Sequence, residues 1–165
     1  MQELDPGLTC WHITFGTYGT RLHGSARPTV DLRHNIRGTA FLPRDPRREA
    51  ASRERMLFDP VVLTAEQAMF IEEAMPAICE RGGWGLRVCA AQDNHVHLLL
   101  DVPREVHGER VRRLIKRWLG QALSERWPRI EGASWWADQG SNIAVRDRVY
   151  LSNAHDYITR QRCTR

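Results

Sequence analysis

Two histidines one residue apart lead into an apolar run in the segment Asn-His-Val-His-Leu-Leu-Leu at 94–100. Side chains at i and i+2 of a β-strand lie on one face, so we predict a strand that presents His95 and His97 together. Such a pair can converge on one ion. The opposite face would enter a core through Val96, Leu98 and Leu100.

The remaining hydrophobic pattern predicts a small α+β domain. Only the turn Gln92-Asp93-Asn94 separates the histidine strand from an apolar strand at 84–91, so the two must form an antiparallel hairpin. The other predicted elements are a strand at 9–18, a capped helix at 64–80, an amphipathic helix over 111–123, a strand at 142–145 and a helix at 148–162. This β-α-β-β-α-β-α order matches a ferredoxin-like (RRM-like) sandwich with an antiparallel sheet and an added C-terminal helix.

One long segment interrupts this order. Residues 19–63 are rich in Gly, Pro and Arg and are predicted to be a basic insertion loop, with a helical turn at 48–56. Loops this long in compact domains are usually functional or disordered.

Composition sets outer limits on the protein. At 165 residues the chain is predicted to form one domain, and its net charge of +4 is mildly basic. All but one of its 24 basic residues are arginine, a good phosphate ligand, but a GC-rich genome explains that ratio equally well. The four cysteines lack CxxC spacing, and neither a signal peptide nor a membrane span is recognised, so we expect a cytoplasmic protein with reduced thiols.

The last predicted helix carries the second chemical signal. Tyr157 and Gln161 are four residues apart, so a phenol and an amide would project from one helical face. Tyr150 is a competing candidate two turns earlier, but it has Ala154 at the corresponding position, which cannot bind a metal.

These residues resemble the single-tyrosine HUH transposases, the insertion-sequence and REP-associated tyrosine transposases of bacteria. That family has His-hydrophobic-His on a central strand and Tyr-x-x-x-Gln or Tyr-x-x-x-Asn on a late helix, as in His95-Val96-His97 and Tyr157-x-x-x-Gln161. The stretches 11–15 and 145–147 also look familial. The resemblance covers most of the chain and leaves residues 21–63 unmatched.

The resemblance implies a metal-dependent endonuclease and strand transferase that acts on single-stranded or hairpin DNA. Mg²⁺ or Mn²⁺ would be held by His95, His97 and Gln161, and Tyr157 would form a 5′-phosphotyrosine. In some relatives the tyrosine helix of one chain completes the site of a homodimer partner, whereas others act as monomers. The resemblance does not choose between these arrangements.

The helix at 111–123, with the residue just before it, also carries a cationic face that would contact DNA, or would simply be solvated. Its residues are Arg110, Arg113, Lys116 and Arg117. Three tryptophans, Trp84, Trp135 and Trp136, would either stack on unpaired bases or belong to the core. His12 and Asp101 face the predicted site, and we assign neither a role.

Two other functions stay open. One is a domesticated, non-mobile protein that binds single-stranded or hairpin DNA. The other, a metal-dependent phosphohydrolase of the histidine-triad type, is disfavoured because the next alternating position is Leu99 rather than His.

Overall fold

The computed structural model describes residues 3–22 and 43–163. In chain order the elements are β1 (Leu8–Gly16), α1 (Pro46–Glu54), α2 (Ala65–Gly82), β2 (Gly85–Ala91), β3 (His95–Pro103), α3 (Gly108–Arg126), β4 (Ser141–Ala144) and α4 (Arg148–Gln161). The strands form one sheet in the order β2-β3-β1-β4, and every neighbouring pair is antiparallel. The predicted α+β class and antiparallel sheet are confirmed.

Helix α2 shows how local sequence signals fix an element. The Thr64 hydroxyl accepts the Gln67 backbone N–H at 3.2 Å, and the Gln67 side chain accepts the Thr64 N–H at 2.9 Å. The helix ends at Gly83, whose φ of +71° is a left-handed conformation that glycine adopts without a Cβ clash. Both ends agree with the predicted helix.

The sheet has an apolar core on each face. Alternating residues of β3 enter the larger core, as predicted, where they pack with α2 and α3; they are Val96, Leu98 and Leu100. Leu99 enters a smaller core on the opposite face, together with Leu151 and Ile158 of α4. His95 and His97 alternate with the larger-core residues, so they lie on the α4 side.

The predicted insertion loop at 19–63 is only partly a loop. It contains α1, which starts earlier than the predicted helical turn, because Asp45 caps its N-terminus and Pro46 occupies its first turn. Near its end, Val61 and Leu63 are buried, and their backbone N–H groups donate to Tyr18 and Asp93. That end belongs to the core. Residues 23–42 of the predicted loop lie outside the described residues.

None of the helices within the two described ranges is long and apolar enough to cross a membrane. The four cysteines are free thiols.

Candidate active site

The two histidines of β3 lie side by side. Their ring centroids are 4.6 Å apart and the rings are nearly perpendicular. A hydrogen bond of 2.8 Å joins His97 Nδ1 to the Thr14 hydroxyl on β1, where Thr14 pairs directly with His97 in the sheet. His95 Nδ1 is hydrogen-bonded to the Asn94 side chain. Partners at Nδ1 orient each imidazole and direct its Nε2 toward a ligand.

His97 is held in its neutral form. Burial, followed by the neighbouring His95 and His12, lowers the pKa of His97 to about 3. A neutral imidazole has the lone pair that metal binding requires.

Helix α4 brings the tyrosine to this pair. Asp147 caps the helix by accepting the Tyr150 N–H at 2.7 Å, and buried Leu151 and Ile158 fix the helix on the sheet. The Tyr157 ring consequently packs edge-on against His97, with centroids 5.6 Å apart. Tyr157 is nevertheless 44% exposed, so this is not a core tyrosine.

The end of α4 is tied to the turn that precedes His95. The Gln92 side chain donates to the Gln161 carbonyl, and Glu72 accepts the backbone N–H groups of Ala91 and Cys163. At this end the Gln161 side-chain oxygen is buried and has no hydrogen-bond partner among the described residues. A buried amide oxygen without a partner is costly, and it is a suitable ligand for a hard cation.

These residues fit a divalent ion in their chemistry. Two neutral imidazoles and one amide oxygen would leave coordination positions for phosphate oxygens, and Mg²⁺ or Mn²⁺ accepts such a mixture. Across the described ranges, no three His, Cys, Asp or Glu side chains already form a group that could hold a metal. The observation that favours a metal ion here is therefore the buried Gln161 oxygen, which has no hydrogen-bond partner in the described structure.

The structure adds His12, which had no assigned role, to the site and joins it to Tyr150, the competing tyrosine. His12 on β1 lies 5.6 Å from the His97 ring between centroids, and its Nδ1 is hydrogen-bonded to the Tyr150 hydroxyl at 2.8 Å. His12 Nε2 is buried without a partner in the described structure, and burial lowers the pKa of this imidazole. Alternation along β1 placed His12 on the correct face, but only the sheet register brings it to His97.

The predicted cationic face lies elsewhere. Helix α3 packs in the larger core, so Arg110, Arg113 and Arg117 are exposed on the side of the sheet opposite the histidines. Arg113 and Arg117 line a shallow groove between α3 and the segment at 133–138. The Lys116 ammonium also lines it, but this group donates to the carbonyls of Ala137 and Asp138.

The three tryptophans are core residues rather than exposed platforms for bases. Trp84, Trp135 and Trp136 are all buried, and Trp84 stacks on Trp118. The indole N–H groups of Trp135 and Trp136 donate to α3. Asp101, on the same face as His97, pairs with Arg87 at 2.8 Å.

Comparisons with known proteins agree with this architecture. The profile of a family described as IS200-like transposases matches residues 59–161, more than half of the chain. No curated protein matches the sequence. Among solved structures, one similar chain is a protein from Deinococcus radiodurans R1 that is provisionally described as a transposase. It is 12% identical, with a TM-score of 0.50 over 99% of this chain and 100% of that one, so the likeness concerns the fold.

Proposed function

The chain belongs to the IS200-like transposase family, and on this premise we propose that it cleaves and rejoins single-stranded DNA through a 5′-phosphotyrosine. One observation carries the proposal: Tyr157 packs against His97 and yet remains 44% exposed. A phenol placed in this way can reach a phosphate that lies over the histidines.

Tyr157 is the proposed nucleophile. Its oxygen would bond to phosphorus as the bond to the 3′ oxygen breaks, leaving a 5′-phosphotyrosine and a free 3′-hydroxyl. The phenolic proton leaves to solvent, and the departing 3′ oxygen takes one up. Because the phosphotyrosine retains the energy of the diester, a second 3′-hydroxyl can displace Tyr157 and complete strand transfer without ATP.

His95, His97 and Gln161 are the proposed ligands of a divalent ion, Mg²⁺ or Mn²⁺. When bound, this ion supplies positive charge that offsets the charge developing on the phosphate. Thr14 and Asn94 hold the two imidazoles in place. Helix α4, capped by Asp147 and anchored by buried Leu151 and Ile158, holds Tyr157 beside them.

The proposed fold and DNA contacts follow from the same elements. The sheet order β2-β3-β1-β4 with its helix crossovers supports assignment as a ferredoxin-like sandwich with α4 added. We propose that Arg110, Arg113 and Arg117 hold the phosphates of single-stranded or hairpin DNA, with Lys116 at the edge of their groove.

A covalent adduct tests the proposal. The protein is incubated with a labelled hairpin oligonucleotide and saturating Mn²⁺, then denatured and separated by electrophoresis. Wild type is expected to yield a protein–DNA adduct, and Tyr157→Phe, which removes only the hydroxyl, none. Tyr18→Phe is the matched control, because Tyr18 is partly buried and packs against the larger core rather than against the histidines.

Tyr150→Phe addresses the competing tyrosine. An adduct is expected to persist in this variant at saturating Mn²⁺, because the other tyrosine is the nucleophile. Adduct from Tyr157→Phe but none from Tyr150→Phe would reverse the assignment. Cleavage without an adduct in wild type would make water the nucleophile and the protein a hydrolase.

A further inference from the structure

We infer that His12 is a third imidazole ligand of the ion proposed above, and that Tyr150 is the residue that orients it. The inference rests on the proposed function, because it concerns the same metal. It assigns a role to a histidine on a different strand from the His-x-His pair.

The hydrogen bond at His12 Nδ1 is the first supporting observation. Tyr150 engages Nδ1 of His12 at 2.8 Å, as Thr14 engages Nδ1 of His97. Metal-binding histidines in proteins are usually fixed by such a partner on the second ring nitrogen. With Nδ1–H donated to Tyr150, His12 Nε2 carries a lone pair.

The surroundings of Nε2 are the second observation. This atom is buried and has no hydrogen-bond partner within the described residues, a condition it shares with the Gln161 side-chain oxygen. Unsatisfied buried polar atoms are rare in folded proteins. A buried ring nitrogen of this kind, on a histidine whose ring lies beside that of His97, is available to bind a cation.

Ring spacing supplies the third observation. When two imidazoles bind one ion, each with a metal–nitrogen distance of about 2.1 Å, the centroids of the two rings lie roughly 5 Å apart. The spacings here are 4.6 Å for His95–His97 and 5.6 Å for His12–His97. The larger His12–His97 spacing agrees with the absence of a preformed three-histidine group among the described residues, so the proposed binding requires the His12 ring to move toward the pair.

A third imidazole changes which metal the site prefers. Mg²⁺ binds oxygen ligands and gives up its water reluctantly, whereas Mn²⁺ accepts nitrogen ligands more readily. With His12, His95, His97 and Gln161 as ligands, an octahedral ion keeps two positions for phosphate oxygens. We therefore expect the metal-free protein to bind Mn²⁺ at least about tenfold more tightly than Mg²⁺.

The experiment measures metal binding by the full-length protein without DNA. Mn²⁺ is titrated by calorimetry, and pulsed EPR counts the imidazole nitrogens that are bound to the ion. Three nitrogens are expected in wild type and two in His12→Gln, with an affinity at least about tenfold weaker in the variant. Tyr150→Phe keeps His12 but removes its partner, so a smaller loss of affinity is expected.

His155→Gln is the matched control, because this helix α4 histidine pairs with Asp156. Its affinity and nitrogen count should equal those of wild type. Two nitrogens in wild type, or an unchanged affinity in His12→Gln, would overturn the inference. If His12→Gln fails to fold, the wild-type nitrogen count and Tyr150→Phe still decide.

The adduct assay separates this result from the proposed function. Two nitrogens together with an adduct would refute the role of His12 and leave the transferase standing. Three nitrogens without an adduct would support the role of His12 and refute the transferase. Absence of Mn²⁺ binding in wild type would refute the role of His12 and the metal dependence together.

Discussion

At the scale of single residues, Gln161 shows a conflict between stability and the proposed chemistry. Its side-chain oxygen is buried without a partner in the described structure, and such an atom costs roughly 1–3 kcal/mol. Replacing the amide with the apolar side chain of leucine would remove this cost. A metal ion bound to the amide oxygen would also remove it.

We predict that Gln161→Leu leaves the metal-free protein as stable as wild type, or about 1 kcal/mol more stable, while reducing the stabilisation by Mn²⁺. Urea denaturation with and without the ion measures both effects. Destabilisation of the metal-free protein by the substitution would mean that the amide has a structural partner, which contradicts its proposed role.

The low pKa of His97 predicts a pH dependence. Its folded-state pKa is about 3, below the ordinary value of 6.5. Between these two pH values His97 is therefore protonated in the unfolded chain and neutral in the folded chain. This imidazole therefore costs no stability above about pH 6.5, and the folded state loses stability as the pH falls from there toward 3.

The comparison is between wild type and His97→Gln, both without metal, in denaturation series from pH 7 to pH 4. We expect wild type to lose more stability than the variant over this range. Parallel curves would show that His97 becomes protonated in the folded protein as readily as in the unfolded chain.

His12 marks the limit of sequence reasoning at this scale. The His-x-His alternation and the Tyr157–Gln161 spacing are local, and they place each pair on one face without any knowledge of the fold. The meeting of His12 with His97 depends on the antiparallel register of β1 and β3, in which Thr14 pairs with His97. Register of this kind joins residues some 80 positions apart, and the sequence alone does not reveal it.

At the scale of elements, the helices with clear terminal signals could be predicted closely. Thr64, Gln67 and Gly83 define α2, and α4 ends within a residue of its predicted boundary. Helix α1 differs, because it buries none of its side chains. Because this helix has no apolar face, only the capping residues Asp45 and Pro46 indicate it in the sequence.

Helix α3 provides a test of DNA binding. We predict that Arg117→Glu weakens binding to a hairpin oligonucleotide and reduces the slope of log K against log salt by about 1 or more, because phosphate contacts release counterions. Fluorescence anisotropy across a salt series gives both quantities. Arg126→Glu is the control, because Arg126 pairs with Glu66 at the far end of the helix. Equal losses in both variants would indicate a general charge effect without a defined DNA path.

At the scale of the whole molecule, each chain holds a complete set of proposed groups. Tyr157 packs against His97 of its own chain, although the sequence left exchange with a partner open. We predict that mixing His97→Ala with Tyr157→Phe restores no adduct in the hairpin assay. Recovery of adduct in the mixture would show that α4 is exchanged between chains.

The placement of α3 and α4 on opposite faces of the sheet has a consequence for the substrate. If DNA is anchored on the arginines of α3 and cut beside Tyr157, as proposed, the strand has to pass round an edge of the protein, a path at least as long as a helix is wide, about 10 Å. Bases immediately next to the anchored stretch cannot reach the tyrosine. The proposed cleavage site would therefore lie at a fixed number of nucleotides from the stretch of DNA that is bound on α3.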